Sequence, residues 1–263
     1  GRLIKKKDSR LLFLQLFNNQ FSYNANRRSS RSDFINTMNP FNLEDSLVVS
    51  LQSQFRNRLS FNTRNRKFGL DYIFENSTNQ NLMTYGIDNR SNKAHNLVSR
   101  WHIIQALWIN NRTEKGEQEF KSTFFENRNY EVDFLRNTLS LTLESSDQTR
   151  IKTEWNWSNE NNLAGEEELK QHKFQLGADY QSPGKGLFHI DIQYINLDYN
   201  GLENSPTGYV MLKGFRPGHN GVANLNFRRK LNDVIQLDLS YGARISQNTG
   251  VIHTGNIAVR AVF

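Results

Sequence analysis

From Ile235 onward every second residue is apolar: Ile235, Leu237, Leu239, Tyr241, Ala243 and Ile245. Gln236, Asp238, Ser240, Gly242, Arg244 and Ser246 fill the positions between. After a short turn at 247–250, Val251, Gly255, Ile257, Val259, Ala261 and Phe263 share one face, interrupted by His253. Ile252, Thr254, Asn256, Ala258, Arg260 and Val262 share the other. A period of two is the signature of a strand with one apolar face, so the pattern predicts a β-hairpin over 234–263.

The same alternation recurs upstream. Leu47, Val49, Leu51, Phe55, Leu59 and Phe61 form one face, and Ser53 and Asn57 break it, which predicts a bulge. Phe68, Leu70, Tyr72 and Phe74 follow, then Leu97, Trp101 and Ile103, then Leu135, Leu139, Leu141 and Leu143. Ile151, Trp155 and Trp157 form the next face, and after it Phe174, Leu176, Ala178 and Tyr180. Phe188, Ile190, Ile192 and Tyr194 then alternate until the phase slips to Ile195, Leu197 and Tyr199, predicting a second bulge. Ala223, Leu225 and Phe227 lead into the final hairpin. Before residue 45 the pattern supports one strand, at about 10–24, with Arg27-Arg28-Ser29-Ser30-Arg31 as a solvated loop.

The punctuation is asymmetric. Tight turns are predicted near 65, 105, 147, 184 and 232, the strongest being Ser182-Pro183-Gly184-Lys185-Gly186. Polar stretches at 76–92, 110–129, 159–168 and 200–220 read as longer loops, the first with added strand length around Leu82. Short turns at one end and mostly long loops at the other are the layout of an outer-membrane barrel, with short periplasmic turns and long outer loops. The fold expected is therefore all-β: an antiparallel up-and-down transmembrane β-barrel with about 12 strands in this chain. Residues 1–44 form a poorly defined segment and 45–263 the barrel. Strands of nine or more residues are long enough to cross the hydrocarbon layer, and Tyr72, Trp155, Trp157, Tyr180, Tyr194 and Tyr241 suit a membrane–water boundary.

Composition changes this picture little. Hydrophobic residues make up 37% of the chain and the mean hydropathy is -0.70, with no apolar run long enough for a membrane-spanning helix. A barrel tolerates such low hydropathy because only alternate residues face lipid. Gly1-Arg2-Leu3-Ile4-Lys5-Lys6-Lys7 precedes no signal-peptide cleavage site, so the chain reads as a mature product or as part of something longer. Cysteine is absent, which removes disulfides and thiolate metal sites. The formal charge of +7 is spread along the chain rather than gathered in a block, so a nucleic-acid partner is not expected.

The final strand, Ala258-Val259-Arg260-Ala261-Val262-Phe263, resembles the closing strand of bacterial outer-membrane proteins. That resemblance implies that Phe263 is an assembly signal read by the barrel-assembly machinery. Phe68-Gly69-Leu70-Asp71-Tyr72, Gly201-Leu202-Glu203-Asn204-Ser205, Met211-Leu212-Lys213-Gly214-Phe215-Arg216-Pro217-Gly218 and His253-Thr254-Gly255-Asn256 resemble the carboxy-terminal barrel region of large, uncharacterised outer-membrane proteins of Bacteroidota. The likeness covers about the last 200 residues and implies location and fold, with no established chemistry.

Candidate functional residues follow from the polar phase. Arg56, Arg58, Arg100, Arg136, Lys152, Asp191, Arg228, Asp238, Arg244 and Arg260 are candidates for lining a barrel lumen, where opposed charges would pair across a narrow interior. The apolar content of the 208–218 stretch marks Tyr209, Met211, Phe215 and Arg216 as a loop that folds over the mouth or docks a partner. His189 and Asp191, two apart on one face, are the one acid–base candidate, and lumen lining is the preferred reading of both. Glu166-Glu167-Glu168 lacks the interleaved ligands of a calcium loop, so no metal and no cofactor is expected. The reading is a non-enzymatic pore, or the membrane anchor of a larger surface or secretion assembly. Its partners would be outer-membrane lipids, the assembly machinery and other envelope proteins. An outer-membrane hydrolase and a soluble basic β-protein binding an anionic polymer remain the alternatives.

Overall fold

Each strand pairs antiparallel with the next in chain order, so the sheet runs β1 to β12 without a crossover. The strands are β1 (Phe17–Ser29), β2 (Val48–Phe61), β3 (Phe68–Met83), β4 (Gly86–Ile104), β5 (Leu107–Ser122), β6 (Tyr130–Ser146), β7 (Thr149–Asn162), β8 (Glu168–Ser182), β9 (Gly186–Tyr199), β10 (Gly218–Lys230), β11 (Ile235–Ser246) and β12 (Ile252–Ala261). The α-helix α1 (Pro206–Leu212) lies between β9 and β10. The computed structural model describes residues 17–29, 48–62, 67–84, 86–146, 148–182, 184, 186–232, 234–247 and 249–261. The expected all-β, antiparallel, up-and-down architecture with twelve strands is the one observed. Among the described residues, β1 and β12 are the two ends of the pairing order.

The expected final hairpin is present, and its register places the two apolar phases together: Leu237 opposes Val259, Leu239 opposes Ile257 and Tyr241 opposes Gly255. The tight reversals near 105, 147, 184 and 232 also stand where the turn residues place them. Three expectations need correction. β2 pairs with β1 and β3 without a slip through Ser53 and Asn57, so there is no bulge there; both are polar residues at positions of the apolar phase. Arg27, Arg28 and Ser29 end β1 instead of forming a loop. The phase change at Ile195 is likewise not a bulge, because β9 stays in continuous register with β8 and β10 from Leu187 to Leu197. Ile195 and Leu197 therefore lie on the same face as Asp191, and α1 covers them.

Strands are also longer than the hydropathy suggests. Residues 76–83 and 86–92 pair as a continuation of β3 and β4, from Asn76 opposite Lys93 to Met83 opposite Gly86. β5 extends to Ser122, and β7 to Asn162, through stretches that read as loops. Asn, Ser, Thr and Lys occupy both faces at these levels, which hides the alternation although backbone pairing continues. Only 200–217 remains a long connection among the described residues. The first seven residues of the strand expected at 10–24 lie outside the described residues, as does Phe263.

Candidate functional site

The two faces of the sheet invert the usual burial of side chains. Large apolar residues on one face are open, with Trp155 54%, Ile192 45% and Ile257 74% exposed. On the opposite phase Asp71, Glu160 and Asp191 are 1%, 2% and 8% exposed. A water-soluble protein buries the first kind and exposes the second.

The buried acids are held by cations from neighbouring strands. Arg58 of β2 donates from Nη2 to Asp71 Oδ2 at 2.8 Å, and Arg100 of β4 lies 3.3 Å from the same oxygen. Asp238 of β11 repeats the arrangement, with Arg228 of β10 at 2.7 Å and Arg260 of β12 at 3.3 Å. Glu160 of β7 does so a third time, receiving Arg136 Nε of β6 at 2.8 Å and facing Lys213 Nζ at 3.7 Å. Such pairing is what lets a carboxylate stay charged in a polar wall away from bulk water. Arg56 pairs with Glu75 at 3.0 Å and Lys152 with Glu154 at 2.7 Å. Asp191 accepts from Gln175 and Gln193. The ten candidate lining residues thus share one face; eight gather in local ion pairs, while Asp191 is held by glutamines and Arg244 reaches the end of α1.

α1 is built from short-range signals. Ser205 caps it, its Oγ accepting from the Gly208 N–H at 2.9 Å, and Pro206 opens the first turn. Lys213 ends it in the left-handed region at φ 52°, where glycine is the usual residue, and Gly214 follows at φ 79°. Met211 and Leu212 are buried against Tyr130, Val132, Leu169, Ile195 and Leu197, with Phe120, Tyr199, Val210 and Phe215 at the margin. The Arg244 guanidinium stands 4.6 Å over the Phe215 ring and donates to the Gly214 carbonyl. Of the four residues expected at the mouth, Met211 and Phe215 face the wall, while Tyr209 and Arg216 are exposed. The helix itself escaped sequence reading, although Ser205-Pro206 and Lys213-Gly214 are start and stop signals.

His189 does not form a pair with Asp191: its Nδ1 is bonded to Asp179 Oδ1 at 2.5 Å across the β8–β9 hairpin. Three other histidines share one geometry that hydropathy conceals. Tyr72 with His95, Tyr194 with His219 and Tyr241 with His253 each share an Oη–Nδ1 hydrogen bond of 2.7 Å, diagonally between adjacent strands on the apolar face. His253, which interrupts the apolar pattern of the last strand, is explained by this bond.

No family model and no curated protein matches the chain. Among solved structures it is similar to the loop L8 deletion mutant of OmpT, an outer membrane protein of Vibrio cholerae (8% identity, 94% of this chain and 99% of that one, TM-score 0.44). It is also similar to the translocator domain of autotransporter NalP from Neisseria meningitidis (11% identity, 81% and 80%, TM-score 0.34). A third is the CymD monoaromatic hydrocarbon channel (10% identity, 93% and 78%, TM-score 0.37). With TM-scores this low, the reading of this chain rests on its own residues.

Proposed function

We propose that the chain is the membrane-spanning wall of a bacterial outer-membrane protein, acting as a pore or as the anchor of a larger surface or secretion assembly, without catalysis. One observation carries this reading: large apolar side chains stand exposed on one phase of the strands while carboxylates are buried and ion-paired on the other. In lipid, backbone polar groups must pair within the protein; each strand of this sheet pairs with the next and offers every second side chain to hydrocarbon, and the edges β1 and β12 must be closed to complete a barrel. The polar face is then the lumen, and α1 narrows it.

The reading requires detergent for extraction and a gel mobility that changes on heating. Recovery of folded protein in detergent-free buffer would overturn it. Phe263 is the proposed contact with the assembly machinery. Its deletion lowers the yield of inserted protein more than the stability of protein already inserted, and equal losses would remove that role.

A further inference from the structure

A cavity of about 440 Å³ lies on the polar face between the wall of β5–β9 and the end of α1. That volume is within the roughly 300–1,000 Å³ typical of small-molecule pockets. We infer that this cavity binds a small organic oxyanion, a carboxylate or phosphate head on a short apolar body.

Three features of the lining support that chemistry. The first is charge. Arg112, Arg136, Lys173 and Lys213 line the cavity and Lys152 stands beside it, five cations against Glu114, Glu154 and Glu160. The acids are already engaged: Glu160 faces both Arg136 and Lys213, and Glu154 is held by Lys152. Glu114 is 3.8 Å from Arg112, whose guanidinium donates twice to Asn96. Among the described residues, Lys173 has no acidic partner. An uncompensated ammonium in a recess attracts an anion, and the surrounding cations strengthen that attraction.

The second feature is Ser158. It is 6% exposed, it lines the cavity, and its Oγ has no hydrogen-bond partner. Buried hydroxyls are normally paired, so this one is a donor awaiting an acceptor. The third is the roof. Leu212 and Phe215, with Ile195 of the wall, give the cavity an apolar side opposite its charges. Lys213 closes α1 as its left-handed C-cap, φ 52°, and its ammonium faces Glu160.

The test is isothermal titration of the full chain in detergent with benzoate and with phenyl phosphate, and with benzyl alcohol and benzylamine as neutral and cationic counterparts. At least one anion binds, and the tighter of the two identifies the head group. The alcohol and the amine bind at least roughly tenfold more weakly, the scale of a hydrogen bond to a charged group. Lys173→Gln weakens the anion roughly tenfold, Lys173→Arg restores most of it, and Ser158→Ala weakens it by a smaller factor. Arg229→Gln, on β10 and outside the cavity lining, leaves binding unchanged. No binding of either anion, equal binding of the alcohol, or indifference to Lys173→Gln would each overturn the inference. Because the measurement is made in detergent, its failure leaves the membrane reading standing.

Discussion

The polar face has two sectors that use one device in different surroundings. At β2–β4 and β10–β12, Asp71 and Asp238 sit between arginines of the flanking strands, with single apolar neighbours such as Val98 and Ala258 opposite them. At β6–β9 the acid is Glu160, but its second cation is Lys213 from the end of α1, and Val132, Leu169, Ile195 and Leu197 replace polar neighbours. The cluster of buried apolar residues lies where α1 covers the wall. A cluster of buried apolar side chains on a polar face thus marks the docked segment, and Arg136 beneath it is more secluded than the arginines of the open sectors. Asp71 is as buried as Glu160, and the arginines on it are 37% and 42% exposed; on Glu160, Arg136 is 26% exposed and Lys213 56%.

The comparison predicts an ordered series of effects. Leu169→Asp is the largest, since Leu169 is 0% exposed at the centre of the α1 contact. Its cost should exceed the ~2–5 kcal/mol of a leucine-to-alanine core truncation, because an unpaired carboxylate is also buried. The 200–217 connection should then become cleavable by protease while the strands stay protected. Protection of both would mean that α1 does not depend on this contact.

Glu160→Gln comes next, at about 1–3 kcal/mol, because it leaves Arg136 facing an uncharged partner in the covered sector. Asp71→Asn should cost about 1 kcal/mol, its arginines being able to turn to solvent. Asp238→Asn is the smallest, as Arg228 and Arg260 are 59% and 66% exposed, and salt should screen it most. Urea midpoints in detergent at low and high salt give the order, and an Asp238 effect equal to that of Glu160 would break the distinction between the sectors.

Much of the fold was legible because the alternation of apolar residues persists wherever one face stays apolar. The hairpin at Ile235–Ala261 and the turns near 105, 147, 184 and 232 follow from it. It fails in two physical situations. Where both faces are polar, as at Asn76–Gln80 opposite Asn89–Lys93, strand and loop have the same composition and only pairing distinguishes them. Where both faces are apolar, as at Ile192–Leu197, a docked helix imitates a register slip. The lining residues could be placed on a face by counting in twos. Their partners could not, since Asp71 meets Arg58 and Arg100 only through the register of three strands. For the same reason His189 was matched with Asp191, its neighbour in sequence, when the register brings Asp179 opposite it.

The central claim is that the apolar face meets lipid and the polar face does not. The absence of cysteine makes single-cysteine labelling clean. Spin labels placed at Leu141, Ile192 and Leu239, and at their neighbours Ser140, Gln193 and Ser240, in protein reconstituted into bilayers, test it most directly. The account predicts that the first three are relaxed by oxygen dissolved in the lipid and shielded from a water-soluble nickel chelate, and that the second three show weaker oxygen access. Equal nickel accessibility at both sets, with no preference for oxygen at Leu141, Ile192 and Leu239, would contradict it.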